Sequence, residues 1–460
     1  MKYFYSIIIF LLVSYNKNVY SYPLIQEIKY NPDYLLVERQ SLPIIDMNIT
    51  FDIGSKHEYP ASFGLRNLVF RLIPQQKYKN EKIIHLFEKI GALANFRVGK
   101  DNSEINIRFI KSEYNVNYVI EILNYILTEL KIDEETLNFE KEKIIREIKG
   151  NKLDPSILAS QHANETFFSG TWYQHPVIGY EDTIKYLSKN DTDAHLLNFG
   201  NIEINFVGAL NNNEAAFFIS RILKNYKNKE KYNNFRCSDY WQTENNCKFT
   251  LLNNSMQSRE RVKLNTSQTH ILIYIPLYIS TSTWREKNKT HKNKSCCANI
   301  RLDEYYYELL VANYIFGGSG FGSTLMHEIR EKRGLAYSVY SYLIPYNDFG
   351  VLAINMQTKN QNSYKAINLL EDLLKKFKNV NFTDDEIEKA KNGILNSFEL
   401  RFDTNRKLLS MLTAINTFNL ENNYFEEYKR GLMKVDKRSI EDAFLKKISD
   451  DYTIITVGEF

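Results

Sequence analysis

Two pairs of residues in this sequence combine reactive side chains with a regular spacing. Arg330 and Tyr337 lie seven residues apart, on either side of a Lys-Arg-Gly-Leu turn. A guanidinium group can hold the carbonyl groups of a bound molecule, and a phenol can donate a hydrogen bond to a developing oxyanion. Glu140 and Glu147 are also seven residues apart, which places them two turns from each other on one face of a helix. From the residues alone, a surface arginine and a core tyrosine explain the first pair more simply, and a solvated helix face is the alternative for the second.

Other kinds of site find no support in the sequence. The four cysteines contain no Cys-x-x-Cys spacing of the kind that binds zinc. The histidines are scattered, and no Ser/His/Asp or Cys/His arrangement has local support as a nucleophilic centre. Four glycines between residues 317 and 322 resemble a phosphate loop, but no Lys-Ser/Thr follows them. Nucleotide binding is therefore not predicted.

The composition is that of an ordinary globular protein. The chain has 460 residues, of which 43% are hydrophobic and 25% are charged. These values exclude a disordered, collagen-like or disulfide-dense chain. The net charge of +4 is too small for a dedicated nucleic-acid-binding protein. At about 100–200 residues per domain, the length allows two large domains.

The first 21 residues have the pattern of a secretory signal peptide. Lys2 is followed by an apolar stretch over residues 3–13 and a polar region that ends at Ser21. The stretch is shorter than the ~20 residues that span a bilayer. We therefore expect export, to the periplasm or to the secretory pathway and extracellular space. An uncleaved anchor or a buried first strand is the alternative.

The cysteines would then face an oxidising compartment. Cys237 and Cys247 can close a short disulfide loop within a polar stretch. Cys296 and Cys297 are adjacent, and such neighbours rarely bond to each other without strain. Unpaired thiols in loops are the alternative for all four.

The pattern of strands and helices predicts two halves of similar size. Residues 24–228 form the predicted N-terminal domain, 229–262 a polar linker and 263–460 the C-terminal domain. The halves end alike, because residues 202–208 read IEINFVG and residues 453–458 read TIITVG. This weak similarity indicates an internal duplication. Strands mixed with helices, without strict alternation, favour α+β domains.

The most specific segment lies at residues 317–339 and reads GGSGFGSTLMHEIREKRGLAYSV. It resembles the C-terminal-domain signature of the insulinase/pitrilysin family of zinc metallopeptidases, which includes the mitochondrial processing peptidases and bacterial two-chain relatives. Residues 86–92, 139–147 and 175–179 are similar to three further segments of that family, in the same order. These are the segment after the zinc helix, the second acidic helix and a short loop. The resemblance covers most of both halves.

The resemblance implies a fold and a metal site. Members have two homologous α+β domains, each a mostly antiparallel sheet packed with helices, which together form one half-shell of a clam-like peptidase. Zinc sits on a helix that reads H-x-x-E-H. Two histidines one turn apart bind the metal, and the glutamate between them activates a water molecule. A glutamate from a later helix completes the coordination.

This sequence departs from that motif at all three positions. Residues 64–72 read GLRNLVFRL. By position, Asn67 replaces the first histidine, Phe70 the base and Arg71 the second histidine. Asparagine is a poor zinc ligand, phenylalanine has no exchangeable proton, and arginine carries a fixed positive charge. We therefore predict no metal site in this chain.

The later acidic helix keeps its carboxylates. By the resemblance, Glu147 stands at the position of the third zinc ligand, and Glu140 is the other member of the family's acidic pair. The 76 residues from Arg71 to Glu147 suit that register. We hypothesise that Glu147 forms a salt bridge with Arg71 where relatives hold zinc.

The resemblance also assigns Arg330 and Tyr337 to substrate binding, as the arginine–tyrosine pair that reaches the scissile peptide. In two-chain members, one chain carries the zinc motif and its partner carries this pair. The sequence resembles the second kind. It predicts a subunit that is catalytically incomplete alone, a homologous partner that carries the zinc, and an unfolded peptide as substrate. The alternative is a non-proteolytic scaffold or peptide-binding protein of the same fold, as in the core subunits of respiratory complexes.

Overall fold

The computed structural model describes residues 28–31, 34–196, 199–224, 226, 258–279, 299–379, 382–421 and 423–459. The predicted signal peptide, all four cysteines and residues 229–257 of the predicted linker lie outside these ranges. None of the helices within the described ranges combines the length and apolar character that crossing a lipid bilayer requires.

The N-terminal half contains a six-stranded, mostly antiparallel sheet. Its strands are β1 (Ile28–Asn31), β2 (Tyr34–Glu38), β3 (Ile44–Phe51), β6 (Leu93–Val98), β7 (Ser103–Ile110) and β8 (Ile202–Gly208), and a separate hairpin consists of β4 (Lys77–Tyr78) and β5 (Glu81–Lys82). The order across the sheet is β1-β2-β8-β3-β7-β6. Strand β7 alternates between buried and half-buried residues, so one face lies on the core.

The C-terminal half contains a five-stranded sheet. Its strands are β9 (Ser258–Lys263), β10 (Gln268–Leu277), β11 (Ala336–Pro345), β12 (Gly350–Lys359) and β13 (Thr453–Gly458), in the order β11-β12-β10-β13-β9. Strand β10 is buried over most of its length, because it lies at the centre of this sheet.

The two sheets share one topology. The C-terminal sheet, in the order β9-β13-β10-β12-β11, corresponds strand by strand to the order β2-β8-β3-β7-β6 of the N-terminal sheet. Equivalent strands have equivalent neighbours throughout. The single parallel pair also matches, since β2 runs parallel to β8 and β9 runs parallel to β13. The prediction of two similar α+β domains is confirmed.

Helices cover both sheets. In the N-terminal half they are α1 (Leu65–Leu72), α2 (Ile83–Lys89), α3 (Glu113–Thr128), α4 (Glu134–Asn151), α5 (Pro155–Phe167), α6 (Glu181–Tyr186), α7 (Lys189–Leu196) and α8 (Asn212–Leu223). In the C-terminal half they are α9 (Tyr306–Asn313), α10 (Ser363–Lys378), α11 (Asp384–Phe398), α12 (Asn405–Thr417), α13 (Tyr424–Lys434) and α14 (Lys437–Lys447). Two π-helical turns, Tyr314–Gly318 and Met326–Glu331, follow α9.

Each half places one helix on the sheet of the other half. Helix α5 packs against β10 and β13, where its Ala159, Ala163 and Phe167 contact the C-terminal sheet. Helix α12 packs against β3 and β8 of the N-terminal sheet. There the side chain of Asn416 donates to that of Asn205 at 2.7 Å. Both sheets are therefore covered on one face by their own helices and on the other by a helix of the opposite half.

A cluster of charged side chains also joins the halves. Lys56 Nζ lies 3.0 Å from Asp101 Oδ1 and 2.9 Å from Asp348 Oδ2, and Tyr173 hydrogen-bonds to both carboxylates. Burial alone would lower the pKa of Lys56, but Asp348 and Asp101 outweigh it and hold that pKa above its usual value. Although burial opposes ionisation of Asp348, Lys56 holds the pKa of that carboxyl below its usual range. Lys56 and Asp348 are therefore both ionised at neutral pH.

The structure shortens the predicted linker. Its C-terminal end is the edge strand β9, because Ser258–Lys263 pairs in parallel with β13. The strand alternates half-buried and exposed side chains and is highly charged, so its sequence lacks the apolar signal of a strand. Pairing with a strand about 200 residues away, rather than local propensity, holds it in the sheet.

Candidate functional site

Helix α1 carries the three altered motif positions, and its first turn is fixed by a buried carboxylate. Gly64 precedes the helix with a φ of 93°. The Glu58 side chain accepts hydrogen bonds from the backbone N–H groups of Gly64, at 2.8 Å, and Arg66, at 2.6 Å. A carboxylate at this end satisfies free N–H groups and matches the helix dipole. Sequence analysis did not single out Glu58.

The loop at residues 175–179 packs against the same helix start. The His175 ring stacks on Phe63 at 3.8 Å between ring centroids, and its Nε2 lies 3.2 Å from Glu58 Oε2. A Cβ on Gly179, whose φ is 79°, would lie 2.3 Å from the Phe63 carbonyl oxygen. Glycine is therefore required for the loop to approach the helix this closely.

The first two motif positions on α1 offer no metal ligand and no base. The Asn67 side chain is partly buried, and its Nδ2 has no hydrogen-bond partner among the described residues. Phe70 is 1% exposed and lies in the core. Its ring meets Phe51 edge-on at 5.8 Å and Phe199 at 6.2 Å. The base position is therefore occupied by a core side chain.

Arg71, at the third position, is held by the two carboxylates of α4. Its Nη1 lies 2.6 Å from Glu147 Oε2, and its Nε lies 3.7 Å from Glu140 Oε2. Glu140 is buried and also accepts from Lys143 at 2.7 Å. The ion pair that the spacing of Arg71 and Glu147 predicts is thus present, and the guanidinium occupies the space in front of the later acidic helix.

These residues do not fit zinc. A guanidinium lies against the carboxylate that would be the third ligand, and the remaining positions supply an amide and a phenyl ring. Within the described ranges, no group of three or more His, Cys, Asp or Glu side chains is arranged to hold a metal ion.

A buried arginine, Arg66, joins α1 to β7 and α7, and sequence analysis missed it. Arg66 is fully buried, with Nε 3.0 Å from Ser103 Oγ and Nη1 2.8 Å from His195 Nε2. Burial, reinforced by the charge of Arg66, holds the pKa of His195 well below its usual value. The imidazole is therefore neutral and accepts from the guanidinium. A charged residue within an apolar stretch of α1 was the available signal.

Arg330 and Tyr337 lie together at the start of the edge strand β11. Arg330 is in the π-helical turn Met326–Glu331, and its Cζ lies 5.9 Å from the Tyr337 ring centroid and 5.1 Å from that of Phe321. Tyr337 is 72% exposed and Phe321 is 71% exposed. Among the described residues, no carboxylate lies within ion-pair distance of Arg330. The interpretation that placed Tyr337 in the core is wrong.

A β-bulge aims Tyr337 outward. Ala336 pairs with Thr358 and Ser338 with Gln357, which leaves Tyr337 as the extra residue. Bulges commonly redirect a side chain at the edge of a sheet. No hydrogen bond or ion pair joins Arg330 or Tyr337 to Arg71, Glu140 or Glu147, so the structure holds two separate groups of predicted site residues.

The sheet edge nearest α1 is open. Among the strands that the structure describes, β6 pairs only with β7, and α1 contacts β6. Within the described part of the chain, no strand occupies the outer backbone groups of β6, and such an edge can pair with an extended chain.

Two family descriptions match this chain in sequence. Residues 35–180 match "Insulinase (Peptidase family M16)", and residues 195–394 match "Peptidase M16 inactive domain". Together the two matches span most of both halves.

The chain belongs to the insulinase family, M16.

Relatives and solved structures agree with this assignment. An uncharacterized zinc protease of Bacillus subtilis is 22% identical over 315 residues, which is 67% of each chain. A crystal structure of a peptidase M16 inactive domain from Pseudomonas fluorescens has a TM-score of 0.77 at 21% identity, and the match covers 93% of this chain and 95% of the other. A chain of complex III2 from Candida albicans has a TM-score of 0.65 at 14% identity, with coverage of 94% and 95%. At these identities the two structures establish the shared M16 fold.

Proposed function

We propose that this M16 chain is the zinc-free, substrate-binding subunit of a two-chain metalloendopeptidase. A homologous partner chain supplies the zinc and the base. The observation that supports this most directly is the contrast between the two groups of site residues. Arg71 is tied to Glu147 and Glu140. In contrast, Tyr337 is exposed, and the half-buried Arg330 has no ion-pair partner among the described residues.

Arg330 and Tyr337 can each act on an unfolded peptide. The Arg330 guanidinium can hold carbonyl oxygens of the peptide, since no carboxylate of the described residues forms an ion pair with it. The Tyr337 phenol can donate to the oxygen that gains charge when a carbonyl is attacked. Stacking between Arg330 and the rings of Phe321 and Tyr337 restricts the guanidinium to one region of the surface.

The open edge of β6 can bind the same peptide through its backbone. An extended chain added to a sheet edge gains affinity from main-chain hydrogen bonds, with loose dependence on sequence. The three groups then form half of a chamber that a second M16 chain closes. Export by a signal peptide, to the periplasm or the secretory pathway, is part of this proposal.

A non-proteolytic scaffold or peptide-binding protein is the second candidate. The likeness to a chain of complex III2 supports it, because that chain has the same fold and is part of a larger complex. A scaffold has no need for an exposed tyrosine on a bulge beside an arginine that has no ion-pair partner in the described part of the chain, so the geometry favours the first proposal.

Native affinity purification of the chain from its source tests the partner directly. We expect a second M16 chain with an intact H-x-x-E-H motif, in near-equal amount. Recovery of the chain alone, or with unrelated proteins only, would contradict the two-chain proposal.

Substitutions in the purified pair then separate the two functions. We expect Tyr337→Phe to lower kcat by about 100-fold, the cost of losing an oxyanion donor. Arg330→Gln should mainly raise KM. Tyr340→Phe is the matched control, since Tyr340 is an exposed tyrosine on the same strand, and it should leave both constants unchanged. Unchanged activity in all three variants, with intact assembly, would instead support a scaffold.

A further inference from the structure

A row of four asparagines crosses the N-terminal sheet. Asn205 on β8 lies opposite Asn48 on β3, and Asn48 lies opposite Asn106 on β7. Asn106 lies opposite Asn95 on β6, the strand at the edge of the sheet. The residues before and after each asparagine pack against the N-terminal core, so the row lies on the other face, toward α12. Asparagine is depleted in strands, so strand propensity does not explain its presence at four positions in register.

Hydrogen bonds run along this asparagine row in one direction. Asn416 of α12 donates through Nδ2 to Asn205 Oδ1 at 2.7 Å. Asn205 donates in the same way to Asn48 at 3.3 Å, and Asn48 donates to Asn106 at 3.0 Å. Hydrogen bonds in such a chain polarise and strengthen one another. Each of these three bonds has its donor on the side of α12 and its acceptor on the side of β6.

The end of the row at the sheet edge has unused hydrogen-bonding capacity. The Asn106 side chain accepts from Asn48 and donates to Glu104 at 3.2 Å, which leaves one N–H and one acceptor position without a partner among the described residues. Asn95 is exposed, and its side chain forms no hydrogen bond within the described ranges. Contact between the two halves explains the fully buried Asn205 and Asn48, but it does not explain Asn95.

The space beside Asn95 is open on two sides. Asn95 and Asn106 line a cavity of about 730 Å³ between the sheet and α12. On the other side, no described strand pairs with the outer edge of β6, where an extended peptide can add. A peptide residue opposite Asn95 on this face would have its Cβ about 4.5–5.5 Å from that of Asn95, the usual cross-strand spacing.

We propose that Asn95 selects an asparagine or glutamine side chain in a peptide bound along β6. The inference rests on the proposed peptide-binding function and names its substrate class, which is unfolded peptides with a carboxamide side chain opposite Asn95. A carboxamide supplies both a donor and an acceptor, so it extends the row by one step, as in other ladders of asparagine and glutamine. A carboxylate lacks the donor, and a leucine of similar shape lacks both groups.

Three matched peptides test this selection. Each has nine residues of alternating threonine and lysine, blocked ends, and asparagine, aspartate or leucine in place of the central threonine. Their affinities for the full chain are measured by ligand-observed NMR, and hydrogen exchange of residues 93–98 shows whether they occupy β6. We expect the asparagine peptide to bind about two- to fivefold more tightly than either of the others.

Variants of the chain assign the preference to one side chain. Asn95→Ala should remove it, and the exposed position of Asn95 means that this variant should fold normally. Asn95→Gln keeps the carboxamide and should retain the preference. Asn213→Ala is the matched control, because Asn213 is an exposed asparagine on α8, away from β6, and it should leave the preference unchanged.

The outcomes separate this inference from the proposed function. If all three peptides protect β6 and bind equally, peptide binding stands and selection by Asn95 is refuted. Tighter binding of the aspartate peptide would show that charge selects the residue, which also overturns the inference. A preference for asparagine that survives Asn95→Ala would refute the role of Asn95. If no peptide protects β6, the proposed peptide binding at this edge fails, and the inference fails with it.

Discussion

Replacing two residues of α1 should give this chain the zinc site that it lacks. In Asn67→His/Arg71→His, two imidazoles would lie one turn apart on the same face of the helix. Removal of the guanidinium would also free Glu147, whose Oε2 is 2.6 Å from Arg71 Nη1. Two histidines and one glutamate form a known zinc ligand set. Phe70 stays in place, so we expect metal binding without peptidase activity.

The structure gives the size of the expected effects. Loss of the Arg71–Glu147 pair should cost less than about 1 kcal/mol, because the two side chains are 30% and 47% exposed. Zinc at about 100 times its dissociation constant should stabilise the variant by about 2.7 kcal/mol. For a domain of about 200 residues this corresponds to a rise in Tm of roughly 5–10 °C.

Metal content after dialysis and thermal unfolding with and without zinc are the assays. The natural chain should contain no stoichiometric zinc and show no zinc-dependent shift in Tm. The double variant should bind about one zinc per chain, and adding Glu147→Gln should abolish the shift. If the double variant folds but binds no zinc, the side chains at positions 67, 71 and 147 do not reach a common metal site. Stoichiometric zinc held at these positions in the natural chain would refute the ion-pair account.

Three further substitutions probe the framework of the site. Phe70→Ala should lower the free energy of unfolding by about 3–5 kcal/mol in chemical denaturation, because Phe70 lies in the core. The control Phe139→Ala removes a half-exposed residue and should lower it by less than about 1 kcal/mol. Equal losses would contradict the core position of Phe70. Gly179→Ala should lower the free energy of unfolding by more than about 2 kcal/mol, because φ is 79° there and the new Cβ would meet a backbone carbonyl. Gly91→Ala should cost about 1 kcal/mol, because its φ of 65° is similar but the space around it is open. The reverse order of the two losses would refute this account. Asp348→Asn should cost about 1–3 kcal/mol at pH 7, because Lys56 would lose one of its two carboxylate partners and keep Asp101. The folded state lowers the pKa of Asp348, so the difference in the free energy of unfolding between the natural chain and the variant should be complete above about pH 5. It should disappear as the pH falls through the folded-state pKa. A difference that does not change with pH, even in acid, would contradict the ionised Lys56–Asp348 pair.

The sequence predicts the fold and the ion pair at the motif helix, because both depend on local spacing. The alternation of β7 and the apolar spacing of α4 are local signals that tertiary structure reinforces. The pairing of Arg71 with Glu147 follows from a motif register that spans two helices. These features depend on spacing, which a sequence displays directly.

Features that depend on distant partners were not predictable in this way. The charged strand β9 exists because β13 pairs with it, and its own residues carry no strand signal. The bulge that exposes Tyr337 is set by its register against β12. A cavity lined by strands β3, β6 and β7 is closed by helix α12 from the other half. Each of these needs a contact between residues far apart in sequence, which periodicity does not show.

The exchange of helices between the halves has a consequence for synthesis on the ribosome. Leu35, Val37 and Val207 of the N-terminal sheet are buried in the core of the C-terminal half. Nearly 200 residues separate β8 from helix α12, which covers this sheet. At about 5–20 residues per second, the wait is roughly 10–40 s. During that interval the nascent N-terminal half has an uncovered apolar strip, so we expect it to associate with chaperones until the second half emerges and the two halves fold together.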